Sequence, residues 1–123
     1  MNPYASPAAY RESSVMTASP GQLVVMLYDG AARFLRQAEM ATEEGAWAHA
    51  GDRIARAEAI VDELMITLDH ERGGEISQRL QGIYVFCKKL LIEARIQRTV
   101  EPLQQTAGLL AELREAFAEA ATA

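Results

Sequence analysis

The feature that most constrains this chain is a repeated spacing of apolar residues by three and four positions. Between positions 47 and 68 the spacing runs without interruption through Trp47, Ala50, Ile54, Ala57, Val61, Leu64 and Leu68. This spacing places the apolar side chains on one face of an α-helix, whereas a half-buried strand needs a spacing of two. We therefore predict that the segment is an amphipathic helix.

A second helix start lies earlier in the chain, at Ser19. Its hydroxyl can cap the helix, Pro20 fits the first helical position, and Gln22 completes an S-x-x-Q capping box. Behind it, one broad apolar arc contains Leu23, Val24, Leu27, Tyr28, Ala31, Phe34, Leu35 and Ala38. This pattern predicts a helix that begins at Ser19 and ends at the break formed by Glu44 and Gly45.

Two more segments have the same spacing. The third segment has its apolar stripe at Ile76, Leu80, Ile83, Cys87, Leu90 and Ala94. The fourth has it at Leu103, Thr106, Leu110, Leu113, Phe117 and Ala120. Gly73 and Gly74 are predicted to separate the second helix from the third, and Pro102 marks the start of the fourth.

The domain organisation follows from these segments. Four amphipathic helices with short breaks predict an all-α fold, an antiparallel up-down-up-down four-helix bundle over residues 19–123. Residues 1–18 contain several prolines and serines but no periodicity, so we predict a flexible N-terminal arm. Within this arm Tyr10 and Val15 are isolated apolar residues, and we predict that they dock reversibly on the bundle.

Composition narrows the class of function. A chain of 123 residues with a formal net charge of −5 forms one domain and would not attract nucleic acid or an anionic membrane surface. The single cysteine allows no internal disulfide, and no apolar run is long enough to be a signal peptide or to span a bilayer. These properties predict a cytoplasmic protein without membrane insertion.

Residues for catalysis or metal binding are scarce. Di-metal bundles use Glu-x-x-His pairs, but neither His49 nor His70, which we place in a loop, has a glutamate three residues before it. Neither histidine has the H-x-x-K-G pattern of a histidine phosphotransfer bundle. Cys87 lies on a core stripe, which is typical of a buried structural thiol. The sequence thus predicts no enzyme, no cofactor and no metal.

Some apolar residues lie outside the predicted core stripes. On the third helix Val85, Ile92 and Ile96 point away from the core stripe, with the stem of Lys89 between them. Four more apolar residues, on the first and second helices, also lie off their stripes: Val25, Met26, Ile60 and Ile66. We predict that Val25, Met26 and Ile60 bind a partner together with the residues of the third helix. Ordinary surface scatter, or a structural homodimer that buries the stripe on the third helix, are the alternatives.

Several of these segments together resemble a known family. The pattern Y-x-x-x-x-V-x-T-A-S-P at 10–20 and the stretch QLVVMLYDGAARFL at 22–35 are similar to the signature of the flagellar secretion chaperone FliS. The resemblance continues through LDHERGGEI at 68–76 and LLAELREAF at 109–117. It therefore covers nearly the whole chain.

The resemblance implies both a fold and a function. It implies a helical bundle that binds the C-terminal segment of flagellin in the bacterial cytosol and prevents its polymerisation before type III export. It also implies an N-terminal arm that covers part of the apolar surface when no client is bound. We expect a protein that is mainly monomeric when free and binds its client one to one. Other flagellar export or regulatory proteins stay open as further partners.

Overall fold

A computed structural model of the chain describes residues 18–122, so the expectations for Tyr10 and Val15 lie outside the described residues. Within this range the chain forms four α-helices and no strand. They are α1 (Pro20–Glu43), α2 (Trp47–Ile66), α3 (His70–Gln97) and α4 (Glu101–Thr122). The predicted all-α four-helix bundle is confirmed.

The helices are arranged around a square. Helix α1 packs against α2 and α4, and α3 packs against the same two helices from the opposite corner. Helices α1 and α3 therefore lie across the diagonal from each other. Because consecutive helices are joined by short connections, their directions alternate, as in an up-down-up-down bundle.

The start of α1 follows from local hydrogen bonds. The Ser19 hydroxyl accepts from the Gln22 backbone N–H at 3.2 Å, and the Gln22 side chain accepts from the Ser19 N–H at 2.8 Å. Both halves of the predicted capping box are present. At the other end, Gly45 adopts a φ of +74°, a left-handed conformation that favours glycine and ends the helix.

The core forms where the four stripes meet. It contains residues of every predicted stripe, among them Leu35, Ile54, Cys87 and Leu110. Tyr84 and Leu91 on α3 are also fully buried, although the predicted stripe on α3 omits them. The buried face of α3 is therefore wider than the predicted stripe.

Three stripe residues, Trp47, Ile76 and Ala120, are more exposed than the spacing predicts. Trp47 is 42% exposed because it is the first residue of α2 and lies at the end of the bundle, where the guanidinium of Arg98 stacks over its ring at 4.9 Å. Ile76 is 68% exposed, and the neighbouring Ser77 is buried in its place. Ala120, the last residue of the predicted fourth stripe, is also exposed near the end of α4. These three predictions of core positions were wrong.

The reason for the position of Ile76 is a kink at Gly74. The predicted glycine stop is instead a bend inside α3, where Gly74 has φ 50° and ψ −119°. The carboxylate of Asp69 accepts from the backbone N–H groups of Glu71 and Arg72, and the Ser77 hydroxyl donates to the Asp69 carbonyl at 3.0 Å. His70 is consequently the first residue of α3, not a loop residue as predicted.

Candidate functional site

The outer face of α3 carries a row of exposed apolar side chains. Val85 is 51% exposed, Ile92 49% and Ile96 74%, and Lys89 is exposed among them. Phe86, which sequence reasoning did not select, joins this row at 44% exposure. We name this set of five residues the α3 surface.

A shallow groove follows the second half of the α3 surface. It has a volume of about 560 Å³, and all the residues that line it belong to α3: Phe86, Lys89, Leu90, Ile92, Glu93, Ile96 and Gln97. Because one helix provides every wall, the groove is open along its length. A groove of this kind suits an extended or helical peptide better than a small molecule.

Ion pairs hold one flank of α3 against α2. On the α2 side, Lys88 pairs with Asp62 at 2.6 Å and Arg95 with Glu58 at 3.5 Å. The hydrogen bond to Asp62 raises the pKa of Lys88 above its usual value. In the part of the chain that the structure describes, the ion pairs of α3 with other helices all lie on this side. The α3 surface lies on the rest of the outward face, where Lys89 and Glu93 accompany the apolar side chains.

A second, smaller groove lies at the opposite corner of the bundle. Val25 and Met26 near the start of α1, together with Ala118 and Ala121 near the end of α4, line a groove of about 270 Å³. Val25 is half-buried and Met26 is exposed. The structure does not bring these two residues next to the α3 surface, because α1 and α3 lie on the diagonal.

Ile60 has a different environment from the other selected residues. It is half-buried in the seam between α1 and α2 and packs against the core. A β-carbon built on Gly30 would lie 3.2 Å from its Cδ1 atom. The side chain of Ile60 therefore fills the space that this glycine leaves, and less of it is available to a partner.

Other exposed apolar residues were not selected from the sequence. Met40 and Ile66 lie outside the buried stripes of α1 and α2. Helical geometry could have identified Phe86 from the sequence. It is one position before the core residue Cys87 and therefore points about 100° away from the core. Its neighbours on the exposed face, about one, two and three turns further along, are Lys89, Glu93 and Ile96.

The only cysteine of the chain lies in the core. Cys87 is buried, and burial raises the pKa of its thiol to about 11. Within residues 18–122 no three side chains of the histidine, cysteine, aspartate and glutamate types come together as metal ligands would. Over the same residues, none of the helices is long and apolar enough to cross a membrane.

Comparisons with known proteins agree with the resemblance. A family model described as the flagellar protein FliS matches residues 1–123. The chain is 36% identical to the flagellar secretion chaperone FliS of Salmonella typhimurium over 107 residues, which cover 86% of this chain and 79% of that protein. It is 33% identical to the protein of the same name from Bacillus subtilis over 119 residues, covering 97% of this chain and 86% of that protein. The corresponding Campylobacter jejuni protein is 32% identical over 111 residues, covering 90% and 87%. The chain therefore belongs to the FliS family of flagellar secretion chaperones.

Proposed function

We propose that this protein is a cytosolic export chaperone that binds the C-terminal segment of flagellin on the α3 surface. By holding this segment, it prevents premature polymerisation and supports secretion of flagellin through the flagellar type III export apparatus. The observation that carries the proposal is the exposed row of Val85, Phe86, Ile92 and Ile96 above an open groove. Membership of the FliS family supports the choice of client.

The mechanism needs no chemical step and no cofactor. A disordered tail that lies along α3 can bury its apolar residues against Phe86, Ile92 and Ile96. Each anchor that is fully buried stabilises the complex by about 1.5–3 kcal/mol, and the ordering of the tail offsets part of this gain. Burial of several anchors gives affinity, while the open groove leaves the tail free to be handed to the export machinery.

The experiment is calorimetric titration with a synthetic peptide of the flagellin C-terminal segment. Two exposed isoleucines provide a matched pair of variants, since Ile96 is 74% exposed on the α3 surface and Ile66 is 75% exposed at the end of α2. We expect Ile96→Gln to weaken binding about tenfold and Ile66→Gln to leave it unchanged, because only the first removes an anchor. No measurable binding of any flagellin tail by the unmodified protein would refute the proposal.

Light scattering distinguishes the proposal from a structural homodimer. We expect a mainly monomeric free protein and a one-to-one complex with the peptide. A stable dimer that Ile96→Gln dissociates would assign the α3 surface to a second copy of the chain instead.

A further inference from the structure

A cavity at one end of the bundle is separate from the groove on the α3 surface. It has a volume of about 260 Å³ and lies where α1 ends, α2 begins and α3 ends. Residues of these three helices form its walls, so it is more enclosed than the groove that α3 forms alone. We name it the end cavity.

Small residues on α2 and α3 leave this space open. Gly51 lies seven positions, or about two turns, before Glu58, which pairs with α3, so Gly51 is on the side of α2 that faces α3. A β-carbon built on Gly51 would meet no atom of a neighbouring helix within 4 Å. Ala50 and Ala94 add only methyl groups, and Ile54 is the largest apolar side chain beneath them. The floor of the end cavity is therefore apolar.

Two arginines and a tryptophan form the rim of the end cavity: Arg95, Arg98 and Trp47. Arg98 ends α3 in a left-handed conformation, with φ 56° and ψ 43°, and it is the one residue other than glycine with a positive φ between positions 18 and 122. Its guanidinium group lies 4.9 Å from the centre of the Trp47 ring. This stacking holds the guanidinium group beside the cavity.

The rim carries a positive charge that the fold does not neutralise. Arg95 pairs with Glu58 at 3.5 Å, whereas Arg98 forms no ion pair with any residue in the described part of the chain. None of the residues that line the end cavity is acidic. The net charge of −5 is spread over the whole chain and is screened beyond about 8 Å at physiological ionic strength, whereas a single carboxylate would contact Arg98 directly.

We propose that the end cavity binds the C-terminal residue of a peptide chain, with its carboxylate on Arg98 and an apolar side chain on the floor. In such a residue the carboxylate and the side chain are attached to the same carbon atom, which matches a planar guanidinium fork at the rim of an apolar space. The volume is below the range of about 300–1,000 Å³ that is usual for small-molecule and cofactor sites, and it suits a single residue. The inference does not depend on the proposed flagellin binding, because it concerns a different site.

Two other carboxylates fit the end cavity less well. The side chain of a glutamate or aspartate brings a charge without an apolar group attached beside it. A free apolar amino acid has both groups, but its ammonium group would lie close to Arg95 and Arg98 and be repelled by them. In a peptide chain that nitrogen belongs to a neutral amide.

The test uses the full chain and the fluorescence of Trp47, which is the only tryptophan in the sequence. The probes are the tripeptide acetyl-glycyl-seryl-leucine with a free carboxylate, the same tripeptide with a C-terminal amide, and free leucine. We expect a saturable change with the first probe and binding at least tenfold weaker with the other two, because charge-assisted hydrogen bonds are lost or opposed. Arg98→Gln should weaken binding of the first probe about tenfold, with calorimetry as the second readout. Its melting temperature should stay nearly the same, since Arg98 is exposed.

A second variant tests the space instead of the charge. Gly51→Leu fills the end cavity and should weaken binding of the tripeptide at least tenfold in a protein that still melts cooperatively. Gly82→Leu places the same side chain at another glycine with open space around it, and Arg79→Gln removes an exposed arginine in the first half of α3. Both controls should leave the affinity unchanged.

Several results would overturn the proposal. These are the absence of saturable binding, equal binding of the tripeptide and its amide, tighter binding of free leucine, unchanged affinity of Gly51→Leu, and equal weakening by Arg98→Gln and Arg79→Gln. If the protein binds no flagellin tail but passes this test, only the proposed function fails.

Discussion

The hydroxyl group of Tyr28 on α1 hydrogen-bonds to the hydroxyl group of Tyr84 on α3 across the diagonal of the bundle. Both side chains are buried, and this burial raises the pKa of each phenol above its usual value. Helices α1 and α3 each pack mainly against α2 and α4, and the tyrosine pair is a polar link between them inside an apolar core. The ring of Phe117 from α4 lies 5.6 Å from that of Tyr28 and covers the link.

The tyrosine pair gives a first prediction. Tyr84→Phe leaves the Tyr28 hydroxyl buried without its partner, and we expect a loss of about 1–3 kcal/mol in the free energy of unfolding. The double variant Tyr28→Phe/Tyr84→Phe removes both polar groups and should lose clearly less than the sum of the two single variants. Urea denaturation of the four proteins measures this coupling. Additive losses would mean that the hydrogen bond contributes nothing to stability.

The second prediction concerns Ile92 at the centre of the α3 surface. Ile92→Asp should change the free energy of unfolding by only about 0.5 kcal/mol, because the side chain is half exposed and outside the core cluster. Binding of the flagellin tail should fall tenfold or more, since an apolar anchor is lost and a carboxylate would be desolvated. Thermal melting and calorimetry report the two effects separately. A large fall in melting temperature would make Ile92 a core residue and move the search for the client surface to Val25 and Met26.

The third prediction concerns the N-terminal arm. If Tyr10 and Val15 occupy the groove part of the time, deletion of residues 1–18 should raise the association rate of the flagellin tail, because the binding site is open for a larger fraction of the time. Stopped-flow fluorescence measures this rate. Loss of binding by a deletion variant that is still folded would instead make the arm a direct contact of the client.

The fourth prediction compares two glycines of α3. Gly74 has a φ of +50°, so Gly74→Ala should destabilise the protein by about 1–3 kcal/mol through backbone strain. Gly82 lies in the regular part of the same helix with open space around its β-carbon position, so Gly82→Ala should stabilise by about 0.5–1 kcal/mol. Thermal denaturation measures both changes. A neutral effect at Gly74 would show that α3 straightens at the kink without cost.

The sequence alone determined the helices and most of their buried faces. The capping box of Ser19 and Gln22 and the stripe from Ala50 to Leu64 depend on groups within one turn of each other, so local chemistry is sufficient to predict them. The sequence also identified Val85, Ile92 and Ile96 as apolar residues pointing away from the core. Their exposure in the fold agrees with that direction.

Only the tertiary structure decided which apolar residues off the stripes are covered. Ile60 and Phe86 both lie to one side of their stripes, yet the first fills the space beside Gly30 and the second stays exposed. The kink at Gly74 moved Ile76 to the surface, and the bundle end left Trp47 exposed to Arg98. The hydrogen bond between Tyr28 and Tyr84 joins residues that are 56 positions apart. Each of these outcomes depends on which neighbour another helix brings to a given position, and helical periodicity within one segment carries no information about that neighbour.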